Sequence, residues 1–270
     1  MTMKKGLLSV LVLVVLVFLA ACGNDNGGAL SEDEITVGVT AGPHEQILEK
    51  VQEVAAEQGL TINIEVFTEY VIPNTALAEG ELDANIFQHK PFLDNFKEDR
   101  NLDITEVATT VNFPMGIYSL DITDVSELQE GDTVALPNDP TNGARALILF
   151  EQAGFITLRE GAGAEAMIID IEDNPLDLEF IELEASQIPR QLEEVTIAAI
   201  NSNFAIEHGF VPTEDSIFIE PSDSPWVNWI VVRDENKDDP VVQKLIDAYH
   251  TDEVKQFIED TFEGSVVASW

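Results

Sequence analysis

The stretch Thr133-Val-Ala-Leu-Pro-Asn-Asp-Pro-Thr-Asn-Gly-Ala-Arg145 decides the fold class, because it joins a buried strand directly to a helix. Its first residues are apolar, as in a buried strand, and Asp139 followed by Pro140 is typical of a helix N-cap with proline in the first turn. In open α/β sheets such helix starts bind anions. Arg145 adds a guanidinium that matches a carboxylate in two parallel hydrogen bonds. The stretch therefore predicts a carboxylate-binding site; a solvent-facing arginine is the alternative.

Strand and helix patterns alternate on both sides of this stretch. Apolar or alternating runs predict strands at residues 35–39, 60–67, 82–87, 102–111, 133–136, 178–183, 195–200, 217–219 and 227–232. Amphipathic runs predict helices at residues 44–58, 70–78, 91–100, 240–250 and 252–263, with others beginning at 140 and 187. This alternation is typical of βαβ units, so we expect a mostly parallel sheet with helices on both faces.

Two extended segments, near residues 111–116 and 199–204, interrupt the alternation and divide the chain into two α/β series. We expect one lobe from residues 34–112 plus 204–270 and a second lobe from residues 113–203. Two lobes joined by two crossings can close like a hinge on a ligand held between them.

Composition limits the classes of partner. The chain has 270 residues, of which 45% are hydrophobic, so it can bury a full core. Lys and Arg number 13 against 51 Asp and Glu, which gives a formal net charge of -38. Such a surface repels nucleic acid and anionic lipid headgroups, so we expect neither as a partner.

The N-terminus predicts a lipoprotein signal. Lys4-Lys5 precedes an apolar run at residues 7–19, and Leu19-Ala-Ala-Cys22 follows it. Small residues that end at a cysteine resemble a bacterial lipobox, so residues 1–21 would be removed, and Cys22 would carry the lipid that holds the protein on the extracytoplasmic face of the membrane. Residues 22–33 would form the tether. The alternative is an N-terminal membrane helix, for which the apolar run is short.

Polar and aromatic residues at predicted strand ends are candidate ligand contacts. They are Tyr70, Phe87, His89, Asn201 and Asn228. Each also has a structural explanation, as a core aromatic, a helix cap or a turn former. Asn228 differs from the rest because an amide inside an apolar strand requires a hydrogen-bond partner.

Taken together, several segments resemble the NlpA family, the methionine-binding lipoproteins of bacterial ABC importers. The segments are Tyr70-Val-Ile-Pro-Asn74, Leu82-Asp-Ala-Asn-Ile-Phe-Gln-His-Lys-Pro91, Pro137-Asn-Asp-Pro-Thr-Asn142 with Arg145, and Asn201 with Ser224-Pro-Trp-Val-Asn228. The likeness covers essentially the whole chain. It implies a type II periplasmic-binding-protein fold, in which two α/β lobes joined by two hinge crossings hold an amino acid in the cleft.

The resemblance also implies roles for individual residues. Arg145 would bind the ligand's α-carboxylate, and Asn201 and Asn228 would lie near its α-amino and carboxylate groups. Four side chains would wall the pocket for the thioether, whose sulfur packs well against aromatic edges: Tyr70, Phe87, His89 and Phe113.

The function implied is capture of L-methionine or a close relative and its delivery, through hinge closure, to an ABC permease driven by a cytoplasmic ATPase. Methionine-containing dipeptides, D-methionine and other amino acids stay open as ligands, and a surface adhesin is a further alternative. Catalysis is not expected, because the four histidines are scattered and neither a His-Glu-x-x-His helix nor a Gly-x-Ser-x-Gly turn occurs. No cofactor is expected. The lack of a calcium-loop pattern and the single cysteine, Cys22, give no reason to expect a metal.

Overall fold

The computed structural model describes residues 28–270, which form two mixed sheets flanked by helices. The strands are β1 (Glu34–Thr40), β2 (Thr61–Phe67), β3 (Ala84–His89), β4 (Ile104–Asn112), β5 (Gly116–Tyr118), β6 (Thr133–Pro137), β7 (Thr157–Leu158), β8 (Ile171–Asp173), β9 (Glu179–Leu183), β10 (Ile197–Ile200), β11 (Phe218–Ile219), β12 (Val227–Arg233) and β13 (Val267–Ala268). The helices are α1 (Pro43–Glu57), α2 (Ile72–Glu79), α3 (Lys90–Arg100), α4 (Pro140–Ala153), α5 (Ile188–Gln191), α6 (Ser202–Glu207), α7 (Pro212–Asp215), α8 (Pro240–Tyr249) and α9 (Asp252–Phe262).

The first sheet has the strand order β13-β4-β12-β3-β1-β2. Strands β1, β2 and β3 run parallel, whereas β12 is antiparallel to both β3 and β4. The expectation of a mostly parallel sheet is therefore wrong. The reason is connectivity, since β12 enters this sheet from the second sheet and not through a helical crossover on the same sheet.

The second sheet has the order β11-β5-β10-β6-β9. Strands β6, β9 and β10 are parallel, and β5 and β11 run antiparallel to their neighbours. Since β11 pairs with β5, the chain returns to the first sheet between β11 and β12. The sequence pattern instead predicts that return near residues 199–204, with β11 in the first lobe. A two-residue strand is too short to reveal by its pattern which sheet it joins.

Each sheet has its own core. In the first, apolar residues of β1 and of one face of α1 are fully buried, among them Ile35, Val37 and Val51. In the second, Leu147 and Phe150 of α4 pack over the sheet. Helical spacing of apolar residues explains both packings, because it brings one face of each helix onto the sheet.

A small antiparallel ribbon of β7 and β8 lies outside both sheets and was not predicted. Strands of two and three residues carry too little periodicity to be recognised. The predicted signal peptide and Cys22 lie outside the described residues. Within residues 28–270, no helix combines the length and apolar character needed to cross a bilayer.

Candidate functional site

A small cavity of about 20 Å³ lies between the two sheets, and all seven predicted ligand contacts line it. Those seven are Tyr70, Phe87, His89, Phe113, Arg145, Asn201 and Asn228. Five further side chains complete the wall: Gln88, Phe92, Asn142, Ser202 and Asn203. The wall combines aromatic rings with a few polar groups, as small-molecule sites do.

Strand order explains how the first sheet contributes to this cavity. Tyr70 follows β2, and Phe87 and His89 lie at the end of β3, a strand whose residues are all buried. Strand β12 is antiparallel to β3, and its register places Asn228 opposite His89. The start of β12 and the end of β3 therefore meet at the same edge of the sheet.

The second sheet contributes in the same way. Strands β6 and β10 are parallel neighbours, so the segments that follow them leave the sheet at one edge. The first turns of α4 after β6 carry Asn142 and Arg145, and Asn201 follows β10 directly. Phe113 comes from the crossing between β4 and β5.

Arg145 is almost fully buried and makes a bidentate ion pair with Glu220, in the crossing that returns to β12. Nε donates to Oε1 at 2.9 Å and Nη2 donates to Oε2 at 2.6 Å. Nη2 also donates to the carbonyl oxygen of Phe113 at 2.7 Å. We expected one edge of the guanidinium to bind a ligand carboxylate in two parallel hydrogen bonds. That edge, Nε and Nη2, already binds the carboxylate of Glu220. Within residues 28–270, the hydrogen bonds of Arg145 leave Nη1 for a ligand.

The N-terminus of α4 likewise holds an anion of the protein itself. As sequence analysis expected, Asp139 is the N-cap, and its Oδ1 accepts from the backbone N–H of Asn142 at 2.9 Å and from the Thr141 hydroxyl at 3.0 Å. Burial raises the pKa of Asp139, while hydrogen bonds from Asn142 and Thr141 oppose that shift. The helix dipole thus stabilises Asp139, and the ligand must find other donors.

Hydrogen bonds through the side-chain amides of Asn142 and Asn201 connect Asp139 to the cavity. The Asn142 Nδ2 donates to Asp139 Oδ2 at 3.0 Å, which turns the Asn142 Oδ1 toward the cavity. That oxygen accepts from Asn201 Nδ2 at 2.8 Å. The Asn201 Oδ1 is left buried without a partner among the described residues, as is the Nδ2 of Asn203. The cavity therefore offers an unpaired acceptor and an unpaired donor.

Both histidines near the cavity are neutral. His89 Nδ1 accepts from the backbone N–H of Phe92 at 3.2 Å, so Nε2 carries the proton and donates to Asn142 Oδ1 at 3.2 Å. Burial, reinforced by Arg145, lowers the pKa of His89 to about 3. His44 accepts from Asn228 Nδ2 at 3.3 Å, and burial lowers its pKa to about 3 as well.

Aromatic rings form the other end of the cavity. The Phe87 ring lies 5.8 Å from Tyr70 and 5.9 Å from Phe92 between centroids. Tyr70 also packs 4.9 Å from Phe204, which belongs to the second sheet's side of the molecule. These distances are typical of aromatic packing and leave apolar ring edges at the wall.

Two hydrogen bonds cross the cavity and join the two sheets' residues directly. The Tyr70 hydroxyl donates to Asn203 Oδ1 at 2.6 Å, and His89 Nε2 donates to Asn142 Oδ1 at 3.2 Å. We call these the closure bonds. They hold the two sides together, so the structure describes a closed arrangement.

Sequence reasoning missed several residues around the cavity. Asn142 lies in the same turn as the predicted contact Arg145, and Asn203 lies two positions after Asn201, so their places in these turns could have suggested them. Gln88 is part of a buried amide cluster, in which its Nε2 donates to Asn74 Oδ1 at 2.6 Å and to Asn85 Oδ1 at 2.9 Å. Glu220 carried no signal, because it is one of 51 acidic residues and lies 75 positions from Arg145.

The described residues do not include a group of three or more His, Cys, Asp or Glu side chains arranged to hold a metal ion. The polar groups of the cavity are instead amides, the hydroxyls of Tyr70 and Ser202, one guanidinium and one neutral imidazole. This set can hydrogen-bond a carboxylate and an ammonium group at one end, while the aromatic end accepts an apolar chain.

Comparison with known proteins identifies relatives over most of the chain. The D-methionine-binding lipoprotein MetQ of Salmonella typhimurium is 42% identical over 255 residues, which cover 93% of each chain. A nutrient-binding protein from Burkholderia cenocepacia, solved bound to methionine, superposes with a TM-score of 0.86 at 44% identity and covers 87% of this chain and 100% of its own. An ABC transporter periplasmic substrate-binding protein from Coxiella burnetii gives a TM-score of 0.84 at 39% identity, covering 87% of this chain and 100% of its own.

These structures confirm the periplasmic-binding-protein fold predicted from the sequence. The sequence profile of the NlpA lipoprotein family matches residues 35–270. The predicted resemblance is thereby confirmed, and the chain belongs to the NlpA lipoprotein family.

Proposed function

We propose that this protein is an extracytoplasmic solute-binding lipoprotein that captures methionine and delivers it to an ABC importer. The observation that carries the proposal is the polarity of the cavity. Unpaired hydrogen-bonding groups for an ammonium and a carboxylate gather at one end, and aromatic rings line the other. An α-amino acid with an apolar side chain is the ligand class that matches this division.

At the polar end, the buried Asn201 Oδ1 is the acceptor that suits an α-ammonium group. Asn203 Nδ2 is buried without a protein partner, and Arg145 keeps Nη1 free of protein hydrogen bonds within residues 28–270. These two donors suit the α-carboxylate. Filling them removes the cost of buried, unpaired polar atoms, which is roughly 1–3 kcal/mol for each group.

At the aromatic end, Tyr70, Phe87 and Phe92 face the side chain of the ligand. A thioether sulfur gains roughly 0.3–1.5 kcal/mol from each contact with an aromatic edge. This preference supports methionine over an aliphatic amino acid of the same length. The names of the Salmonella and Burkholderia relatives, which refer to D-methionine and methionine, support the same ligand.

A longer ligand is the second candidate, because a larger cavity of about 190 Å³ adjoins the first and shares Tyr70 and Phe92 with it. Rotation of these rings would connect the two spaces. A methionine-containing dipeptide would then extend from the site into the neighbouring cavity.

Delivery depends on movement and on attachment to the membrane. Opening would break the closure bonds and separate residues 34–112 and the β12 segment from the second sheet, with the two crossings as hinges. The lipid on Cys22 would keep the protein beside a permease whose ATPase drives import. The relatives' names describe binding and transport, which supports a binding role without catalysis.

The test is calorimetric binding by soluble protein that starts after Cys22 and has been unfolded and refolded to remove copurified ligand. The panel is L-methionine, D-methionine, methionine-containing dipeptides and the other L-amino acids. A thermal melt should show that the bound ligand, at about one hundred times its dissociation constant, stabilises the fold by roughly 2.7 kcal/mol. We expect L-methionine or D-methionine to give this effect.

A matched pair of variants ties the signal to the site. Asn201→Ala removes the proposed ammonium acceptor, whereas Asn63→Ala removes an exposed amide that donates to Glu34. We expect the first variant to lose binding and the second to keep it. Absence of binding across the whole panel would contradict the proposal and favour the adhesin alternative.

A further inference from the structure

The cavity has a feature that the proposed function does not require. Among its twelve lining residues, Arg145 is the one formally charged side chain, since His89 is neutral and the pKa of Tyr70 is raised by burial. The positive charge of Arg145 is matched by Glu220, which is buried beneath the cavity wall and does not line it. The site therefore has no net charge before a ligand enters.

The ion pair is built into the structure and does not depend on a ligand. Glu220 Oε2 also accepts from the backbone N–H of Met115 at 2.9 Å and lies 3.4 Å from the Ser224 hydroxyl. Its partners thus come from α4 and from both crossings. Trp226 covers the guanidinium with its ring centroid 5.3 Å from Cζ. Such a desolvated pair has a fixed geometry, and little solvent screens its charges.

Charge balance then decides which carboxylates can enter. An arginine without a counter-ion would attract any monocarboxylate, with or without an amino group. When Glu220 already neutralises Arg145, a ligand with a bare carboxylate adds an uncompensated negative charge to a buried site. A zwitterion brings its own positive charge and avoids the penalty.

We propose that Glu220 is a specificity-determining residue that makes the cavity selective for zwitterionic ligands over anionic ligands of the same shape. Glu220 acts through Arg145 and does not touch the ligand. The proposal rests on the proposed amino-acid-binding function and specifies the charge that its ligand must carry.

The experiment compares two ligands of nearly identical shape, L-methionine and its α-hydroxy analogue, 2-hydroxy-4-(methylthio)butanoate. The analogue has a hydroxyl in place of the ammonium and a net charge of −1. We expect the wild-type protein to bind it at least about tenfold more weakly than methionine. In Glu220→Gln the cavity gains one positive charge, so the ratio of the two dissociation constants should shift by at least about tenfold toward the analogue.

Glu193→Gln is the matched control, because Glu193 is exposed and the substitution changes the protein's total charge by the same amount. Its ratio should equal that of the wild type. An unchanged ratio in a folded Glu220→Gln protein, or the same shift in both variants, would overturn the proposal.

Circular dichroism establishes first whether Glu220→Gln folds. If the variant does not fold, the ratio of the two dissociation constants in the wild type is the test. A cavity whose arginine had no counter-ion would bind the hydroxy acid as tightly as methionine or more tightly. That result would overturn the proposal, and weaker binding by at least about tenfold would support it. Failure of the proposed function would look different, since the wild type would then not bind methionine at all.

Discussion

Removal of Arg145 should cost more in stability than a binding residue ordinarily does. In Arg145→Ala, the Glu220 carboxylate, only 5% exposed, loses its bonds at 2.9 Å and 2.6 Å and keeps only Met115 N and the weaker Ser224 contact. An orphaned buried charge of this kind costs about 3–5 kcal/mol. Sequence reasoning expects this arginine to matter for binding alone; the ion pair makes it structural as well.

The assay is urea unfolding followed by circular dichroism, with the double variant Arg145→Met/Glu220→Gln beside the single one. The double variant has no buried charge at this position, so it should regain at least half of the lost free energy of unfolding and still fail to bind methionine. Arg159→Ala is the control, since the Arg159 side chain is 62% exposed in its pair with Asp170 and should contribute no more than about 1 kcal/mol. Equal losses in the single and double variants would refute the reasoning.

Three further predictions concern neighbouring residues. Neutral His44 stabilises the fold fully above pH 6.5 and loses that contribution as the pH falls toward its folded pKa of about 3. Between pH 7 and pH 5, His44→Gln should therefore lose about 2 kcal/mol less stability than the wild type in chemical unfolding, and parallel pH curves would contradict this. Asp139→Ala removes the N-cap of α4 and should cost about 1 kcal/mol of stability, whereas Asp139→Asn should retain most of that stability because asparagine is also a good N-cap. Equal melting temperatures for the two variants would argue against capping. In Gly143→Ala the new Cβ would lie 2.9 Å from the carbonyl oxygen of Pro137, so a loss of about 1–3 kcal/mol is expected, and an unchanged urea midpoint would exclude the close approach.

Sequence patterns predicted the alternating elements and selected residues that line one cavity, for physical reasons that are local. Asp139 and Pro140 mark the start of α4, and residues that follow neighbouring strands share an edge of the sheet. The direction of β12 and the sheet to which β11 belongs depend on long-range connectivity, which leaves no local trace. These were the features that sequence analysis misplaced.

The site shows the same division between local and long-range information. Arg145 and Asn201 were recognisable from the turns that hold them, but the groups that occupy the guanidinium and the helix N-terminus were not. Glu220 pairs across 75 positions, and nothing in the neighbouring sequence distinguishes it from the carboxylates of the surface. A prediction from sequence could therefore locate an anion-recognising residue without showing that the protein supplies an anion of its own.

The closure bonds also bear on the time for which a ligand stays bound. Neither the Tyr70–Asn203 bond nor the His89–Asn142 bond involves the ligand, so both add the same barrier to the escape of any molecule in the cavity. The residence time of a ligand then depends both on the closure bonds and on the ligand's own contacts with the cavity. In an importer, a permease that separates the two sides would break the closure bonds, which join protein to protein and do not include the ligand. Docking at the membrane, rather than spontaneous dissociation, would then determine when the ligand is released.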